Sequence, residues 1–189
     1  MKAFLFVLLA LASSFATAAD PRVELKTNRG NIVVELYPEK APRSVANFLQ
    51  YVKDGHYNGV LFHRVIDGFM IQTGGFDTQF QQKPTRPPIQ NEADNGLPND
   101  RYTVSMARLP GAHTGSSQFF INTVDNAMLN FKSRTDSGYG YAVFGKVVSG
   151  MEVVDRIAKV KTGRMGPYSD VPIEPVVLES ATLLTPPQQ

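Results

Sequence analysis

The sequence predicts a mostly β fold, an antiparallel closed sheet with two helices covering its ends. Three observations predict it. Short β-rich runs recur along most of the chain, only two stretches carry helical period, and strands never alternate with helices in the rhythm of a parallel βαβ fold. With 189 residues and 42% hydrophobic content the chain suits one domain, and a domain near that size buries roughly 70% of its unfolded surface. A core of that extent needs no disulfide to hold it.

The first segment, MKAFLFVLLALASSFATAADP, sets Lys2 ahead of an apolar run from Ala3 to Ala12 and follows it with Ser13-Ser14 and Ala16-Thr17-Ala18. That order is the order of a secretory signal peptide, and the run is short for a membrane span. Cleavage is expected after Ala18 or Ala19, which makes residues 1–18 a leader and residues 19–189 a single exported domain.

In VELKTNRGNIVVELYP two β-rich runs, Val23–Lys26 and Asn31–Tyr37, flank the turn-prone Asn28-Arg29-Gly30 and predict a hairpin. From Pro42 to Val52 the residues Val45, Phe48, Leu49 and Val52 fall at i, i+3, i+4 and i+7, with Pro42 at the start and Gly55 at the stop. This predicts an amphipathic helix. A second helix is predicted over Met151–Lys159, its inward stripe being Val153, Val154, Ile157 and Ala158. Six further β-rich runs are Val60–Ile66, Phe69–Gln72, Tyr102–Ala107, Gln118–Thr123, Tyr141–Val148 and Pro175–Leu184. Two stretches have neither period. Asp77–Arg101 is rich in Gln, Asn and Pro, and Asn126–Gly140 in Asn, Ser, Arg, Asp and Gly; loops that long inside a domain are usually functional or mobile. Thr185–Gln189 is predicted as a frayed tail.

Composition removes several function classes. The formal charge of +2 and the lack of any Lys/Arg block give no reason to expect nucleic acid or an anionic membrane as partner. With no cysteine there is no disulfide, thiolate zinc site or cysteine nucleophile, and three scattered histidines lack the spacing of a zinc motif. No GxSxG elbow is present, and Gly74-Gly75 lacks the spacing of a phosphate loop, so a sharp turn is the plainer reading. No metal and no cofactor are expected.

What stands out is FHRVIDGFMIQTGG, Phe62 to Gly75. Phe62, Phe69, Met70, Phe119, Phe120, Phe131 and Phe144 carry much of the apolar bulk, and without tryptophan these side chains are expected to form most of the core. Strand alternation puts Phe62, Arg64 and Ile66 on one face and His63 and Val65 on the other. A guanidinium among aromatics is either snorkelling at a rim or placed to act on a ligand. His63 reads more readily as a hydrogen-bonded structural residue than as a base.

The run YNGVLFHRVIDGFMIQT, Tyr57 to Thr73, resembles the signature of the cyclophilin peptidyl-prolyl cis-trans isomerases. SQFFI, Ser117 to Ile121, and VFGKVV, Val143 to Val148, resemble two further blocks of that family in the family's order. The likeness runs from about Val23 to Leu184, and with the leader and NEADNGL, Asn91 to Leu97, it is greatest to the bacterial periplasmic members. The resemblance implies an eight-stranded antiparallel barrel capped by two helices, a periplasmic location, a monomer, and unfolded or partly folded exported polypeptides with Xaa-Pro bonds as partners.

It also answers the question that Arg64 raises. A prolyl amide is held planar by resonance, which makes rotation cost ~18–20 kcal/mol. Desolvating the amide and donating a hydrogen bond to its nitrogen both lower that barrier without a covalent step, and an arginine is a donor that never deprotonates. The resemblance makes Arg64 that donor. It makes Phe69, Met70, Phe119 and Leu129 the walls around the proline ring, gives Gln72 a hydrogen bond to the substrate backbone, and sets the main chain near Arg108 alongside the peptide. It adds Ala107, Gln118, Met128 and Tyr141 to the substrate-binding set.

The chain departs from the family in three places. Met128 stands where many members have tryptophan and Tyr141 where many have histidine; losing the indole donor implies weak cyclosporin binding. The segment from Arg108 to Ser116 is one residue longer than the common form and has no Asn at Arg108. Two rival readings remain: a non-catalytic holdase that uses the same groove for extended proline-containing segments, and a small-ligand barrel, which the early helix disfavours.

Overall fold

Alternation makes the first hairpin. Val23 and Leu25 on β1 (Arg22–Thr27) and Ile32, Val34 and Leu36 on β2 (Gly30–Leu36) occur at every second position, and all are fully buried. A two-residue turn, Asn28-Arg29, joins the strands: Thr27 Oγ1 donates to the Gly30 carbonyl at 2.6 Å and accepts from the Arg29 N–H at 3.0 Å. The computed structural model describes residues 20–185. The expected leader, its cleavage site and all of the tail after Thr185 lie outside the described residues.

Helix α1 (Pro42–Lys53) follows its sequence pattern. Val45, Phe48, Tyr51 and Val52 are buried and Leu49 packs against them. Proline in the first turn sacrifices no hydrogen bond, but the helix has no side-chain cap from its own N-terminal residue. Glu92 supplies one from far along the chain. Its carboxylate accepts from the Arg43 N–H at 3.0 Å, the Ser44 N–H at 2.9 Å and the Ser44 hydroxyl at 2.8 Å. An anion there is worth about 0.3–1 kcal/mol against the helix dipole. The same contact pins the long irregular stretch to the helix, and the Arg86 N–H pins it again by donating to the Tyr51 hydroxyl at 2.8 Å.

After α1 come β3 (Val60–Leu61), β4 (Arg64–Ile66), β5 (Met70–Thr73), β6 (Thr103–Met106), β7 (Phe119–Asn122) and β8 (Val143–Ser149). Helix α2 (Met151–Ala158), β9 (Thr162–Met165), β10 (Tyr168–Pro172) and β11 (Val177–Leu184) complete the chain. Helix α2 buries Val153, Val154, Ile157 and Ala158 as predicted, and starts from Gly150 at φ +83°, where a Cβ would collide with the Asn31 carbonyl. Among the described residues no helix is long and apolar enough to cross a membrane.

The antiparallel sheet runs β3-β11-β1-β2-β8-β6-β7-β5-β4. This corrects the closed eight-stranded barrel: the sheet has nine strands and is open. The predicted strand Val60–Ile66 is broken, because Phe62 and His63 leave the ladder and split it into β3 and β4 at opposite edges. Those edges are two residues of chain apart, and an isolated bridge, Val60↔Asp77, flanks the gap. The break also shifts the phase of alternation. Val60 and Phe62 face the core before it and Val65 after it, so Phe62 does not share a face with Arg64 and Ile66. The hairpin β9–β10 went unpredicted because it buries only Val171 and Pro172 at one end, too little for alternation to show in its sequence.

Phe48 centres the core. Its ring lies 5.2 Å from Phe119, edge-on, and 5.3 Å from both Tyr57 and Phe144. Val104, Met106, Phe119, Ile121 and Ile71 face this cluster. The alternate residues of β4, β5 and β7 therefore point to the outer face, where the site lies.

Candidate active site

Strand register assembles the site. Arg64 on β4 pairs with Gln72 on β5, and Gln72 pairs with Phe120 on β7, so the three stand in one row across the outer face. In the next row Ile66 pairs with Met70. Phe69 precedes β5, Ala107 and Arg108 follow β6, Leu129 ends a 3-10 turn (Ala127–Leu129) and Tyr141 precedes β8. Together Arg64, Phe69, Met70, Gln72, Ala107, Arg108, Phe120, Leu129 and Tyr141 line a cavity of about 110 Å³. An apolar cavity of roughly 150 Å³ houses a benzene ring. The space here suits a smaller, five-membered ring.

Three sequence-assigned residues are placed elsewhere. Phe119 is a correction: it is fully buried against Phe48 and Tyr57, and Phe120 forms the cavity wall instead. In SQFFI adjacent phenylalanines must face opposite sides, and only the pairing of Phe120 with Gln72 tells which faces out. Met128 is 65% exposed beside Leu129 and lies outside the cavity lining. Gln118 stands just outside, where its Oε1 accepts from Gln72 Nε2 at 2.8 Å. It belongs to an adjoining cavity of about 380 Å³ that shares Gln72, Ala107 and Arg108. Lys83, Arg86 and Arg108 line that second space, with no carboxylate in its wall.

The two arginines differ in kind. Among the described residues the half-buried Arg64 side chain makes no ion pair and no hydrogen bond, so its donors are available to a ligand. Arg108 is fully engaged. Its Nε donates to the Gly140 carbonyl at 2.9 Å, Nη1 to Leu109 and Pro110 at 3.1 Å and to Gly111 at 3.3 Å, and Nη2 to Asp136 at 3.0 Å. Its guanidinium lies 4.8 Å over the Tyr141 ring, which in turn meets Phe120 edge-on at 5.6 Å. Arg108 thus braces two loops and one wall of the cavity. Arg108→Ala is expected to cost about 1.5–3 kcal/mol of stability, the worth of a hydrogen bond to a charged group, and to lower kcat/KM with it. Arg108→Lys should recover little, because an ammonium cannot reproduce the planar fork; thermal denaturation beside kinetics checks both.

His63 is not in the cavity. It is 6% exposed, lies 4.7 Å from the Phe76 ring, and its Nδ1 has no hydrogen-bond partner. The reading of a hydrogen-bonded structural histidine is therefore met only as to burial. Burial lowers its pKa from 6.5 to about 4; contacts with the Leu61 carbonyl and Gln118 offset part of that shift, and the Arg64 charge adds the smallest push in the same sense as burial. A nitrogen that weakly basic serves poorly as a general base. It does shape stability: below about pH 6.5 the unfolded chain takes up a proton that the folded chain refuses. Stability is expected to be full above pH 6.5 and to fall toward pH 4 by up to about 3 kcal/mol. Urea denaturation across that window, with His63→Gln showing a shallower fall, checks this.

Gly74, at φ +91°, brings β5 against the 117–118 segment. Its carbonyl accepts from Ser117 Oγ at 2.9 Å, and a Cβ would sit 2.6 Å from the Ser117 carbonyl. The glycine pair forms a bend at the end of β5 and not a phosphate loop.

Comparison with known proteins agrees with this geometry. The family model for cyclophilin type peptidyl-prolyl cis-trans isomerase/CLD matches residues 22–183. A peptidyl-prolyl cis-trans isomerase of Streptomyces antibioticus is 59% identical over 162 residues, covering 86% of this chain and 98% of the relative. Peptidyl-prolyl cis-trans isomerase A of Dickeya dadantii is 52% identical over 177 residues, covering 94% and 92% of the two chains. Among solved structures, a Cryptosporidium parvum cyclophilin type peptidyl-prolyl cis-trans isomerase superposes with a TM-score of 0.72 at 27% identity, over 89% of this chain and 99% of that one. With a family match across nearly all the described residues and relatives above half identity, this chain is a peptidyl-prolyl isomerase and belongs to the cyclophilin family.

Proposed function

We propose that this isomerase twists Xaa-Pro bonds of unfolded or partly folded exported polypeptides in the periplasm, with Arg64 donating to the prolyl nitrogen. The observation that carries the proposal is an unengaged guanidinium at the wall of a ring-sized apolar cavity. The proline ring enters between Phe69, Met70, Phe120 and Leu129, where loss of water weakens the charge separation that keeps the amide planar. As the bond twists, the nitrogen lone pair localises and becomes an acceptor for Arg64. A donor realised mainly in the twisted state lowers the barrier rather than merely tightening binding. Gln72, whose Nε2 is held by Gln118, keeps its Oε1 to accept a substrate N–H. No proton changes hands. Export is supported by the order of charge, apolar run and small residues in the first segment.

A holdase reading has one observation in its favour. Leu109, 69% exposed, and Met128 flank the cavities with apolar surface that could grip an extended chain without turnover. NMR exchange between cis and trans forms of a short Xaa-Pro peptide separates the two. Left alone the exchange takes tens to hundreds of seconds. The isomerase reading expects substoichiometric mature protein to speed it; peptide signals that broaden or shift without faster exchange would favour the holdase.

A further inference from the structure

Behind the cavity lies a set of carboxamides that the isomerisation chemistry does not use. Asn99, Asn122 and Asn126 are each no more than 1% exposed. Asn99 Nδ2 donates to the main-chain carbonyls of Leu129 and Tyr141, both at 3.2 Å. Its Oδ1 accepts from Ser105 Oγ at 2.7 Å and from Asn122 Nδ2 at 3.3 Å. Asn122 Oδ1 accepts from Asn126 Nδ2 at 2.7 Å, and Asn126 Nδ2 also donates to the Phe69 carbonyl at 2.9 Å. Phe69, Leu129 and Tyr141 are cavity walls from two connections, Phe69 between β4 and β5 and the other two between β7 and β8. One chain of buried amides, rooted on Ser105 of β6 and Asn122 of β7, ties all three main chains from beneath.

Burying amides costs free energy unless every group is satisfied, and apolar side chains would fill the space without that requirement. What amides add is direction, since each bond sets where a wall carbonyl sits. We infer that Asn99 is a positioning residue of the active site, fixing the Leu129 and Tyr141 walls directly and reaching Phe69 through Asn122 and Asn126. It touches neither substrate nor reacting atoms.

The inference rests on this cavity being the proline site. Four variants test it: Leu129→Ala, Asn99→Asp, Asn126→Ala, and as a stability control the core change Val23→Ala on β1, which pairs with β2 and β11 and contributes no residue to the cavity. Asn99→Asp keeps the shape and the acceptor but turns lone pairs toward two carbonyls. It is expected to lower kcat/KM about tenfold or more, since misplacing a site by 1 Å can cost a hundredfold. The loss should shrink as pH falls and the introduced carboxyl gains an O–H donor, while wild-type kcat/KM stays flat. Asn126→Ala should show a loss of the same kind and serves as the reading if the first variant does not fold. Val23→Ala, assayed where it remains folded, should keep its kcat/KM. Unchanged turnover in the folded asparagine variants, or losses no greater than the control's at equal stability, would overturn the positioning role. If Leu129→Ala also leaves turnover unchanged, the assignment of the cavity fails instead.

Discussion

Arg64→Ala is expected to lower kcat/KM roughly ten- to a hundredfold and leave the fold intact. A hydrogen bond to a charged group contributes about 1.5–3 kcal/mol, and each ~1.36 kcal/mol is a decade in rate. That is a part, not the whole, of what an enzyme must take from a barrier of ~18–20 kcal/mol. The apolar walls must supply the rest. Stability should change by no more than about 0.5 kcal/mol, as for surface positions away from special features, because Arg64 sits on the outer face of a three-residue edge strand and has no partner to orphan. Arg64→Lys keeps a charge but loses the planar fork, so it should recover only part of the rate. A protease-free kinetic assay with circular dichroism on the same samples checks both halves.

Phe48→Ala should be the most damaging single change to the fold. The ring is fully buried and touches Tyr57, Phe119 and Phe144, the last two on strands that frame the site. Truncating a buried phenylalanine costs about 3–5 kcal/mol, a large share of the ~5–15 kcal/mol that holds a domain of this kind together. The midpoint of urea unfolding should fall accordingly. Turnover per folded molecule should fall less, because the cavity wall itself is Phe120, on the opposite face of β7 from Phe119.

What could be read from the chain beforehand follows from what is local. Helices α1 and α2 were legible because Val45, Phe48 and Val52, and Val153, Val154 and Ile157, repeat with helical period within a single turn or two. The first hairpin was legible for the same reason with period two. Arg64 and Gln72 were singled out by a guanidinium in an apolar run and by family resemblance, and register then set them side by side.

What was missed depends on contacts distant in sequence. No local signal makes Glu92 the cap of α1 or joins Asn99, Asn122 and Asn126 into one network, since each partner lies in another segment. The choice between Phe119 and Phe120 depended on the phase of β7 against β5, which neither residue encodes alone. Closure of the sheet failed at Phe62-His63 because both side chains bury themselves at the cost of the ladder there. That same break swings Arg64 outward, to the face where the cavity forms.

The most direct test of Arg64 as donor to the twisted amide separates transition-state effects from affinity. It is NMR line-shape analysis of one Xaa-Pro peptide saturating wild type and then Arg64→Ala, which yields the cis-trans rate on the enzyme apart from Kd. The expected result is on-enzyme exchange slowed about tenfold or more, the kinetic worth of one charge-assisted hydrogen bond, with the peptide still bound in the apolar cavity. Equal on-enzyme rates in the two proteins, with only affinity lost, would mean that Arg64 binds substrate without acting on the prolyl nitrogen.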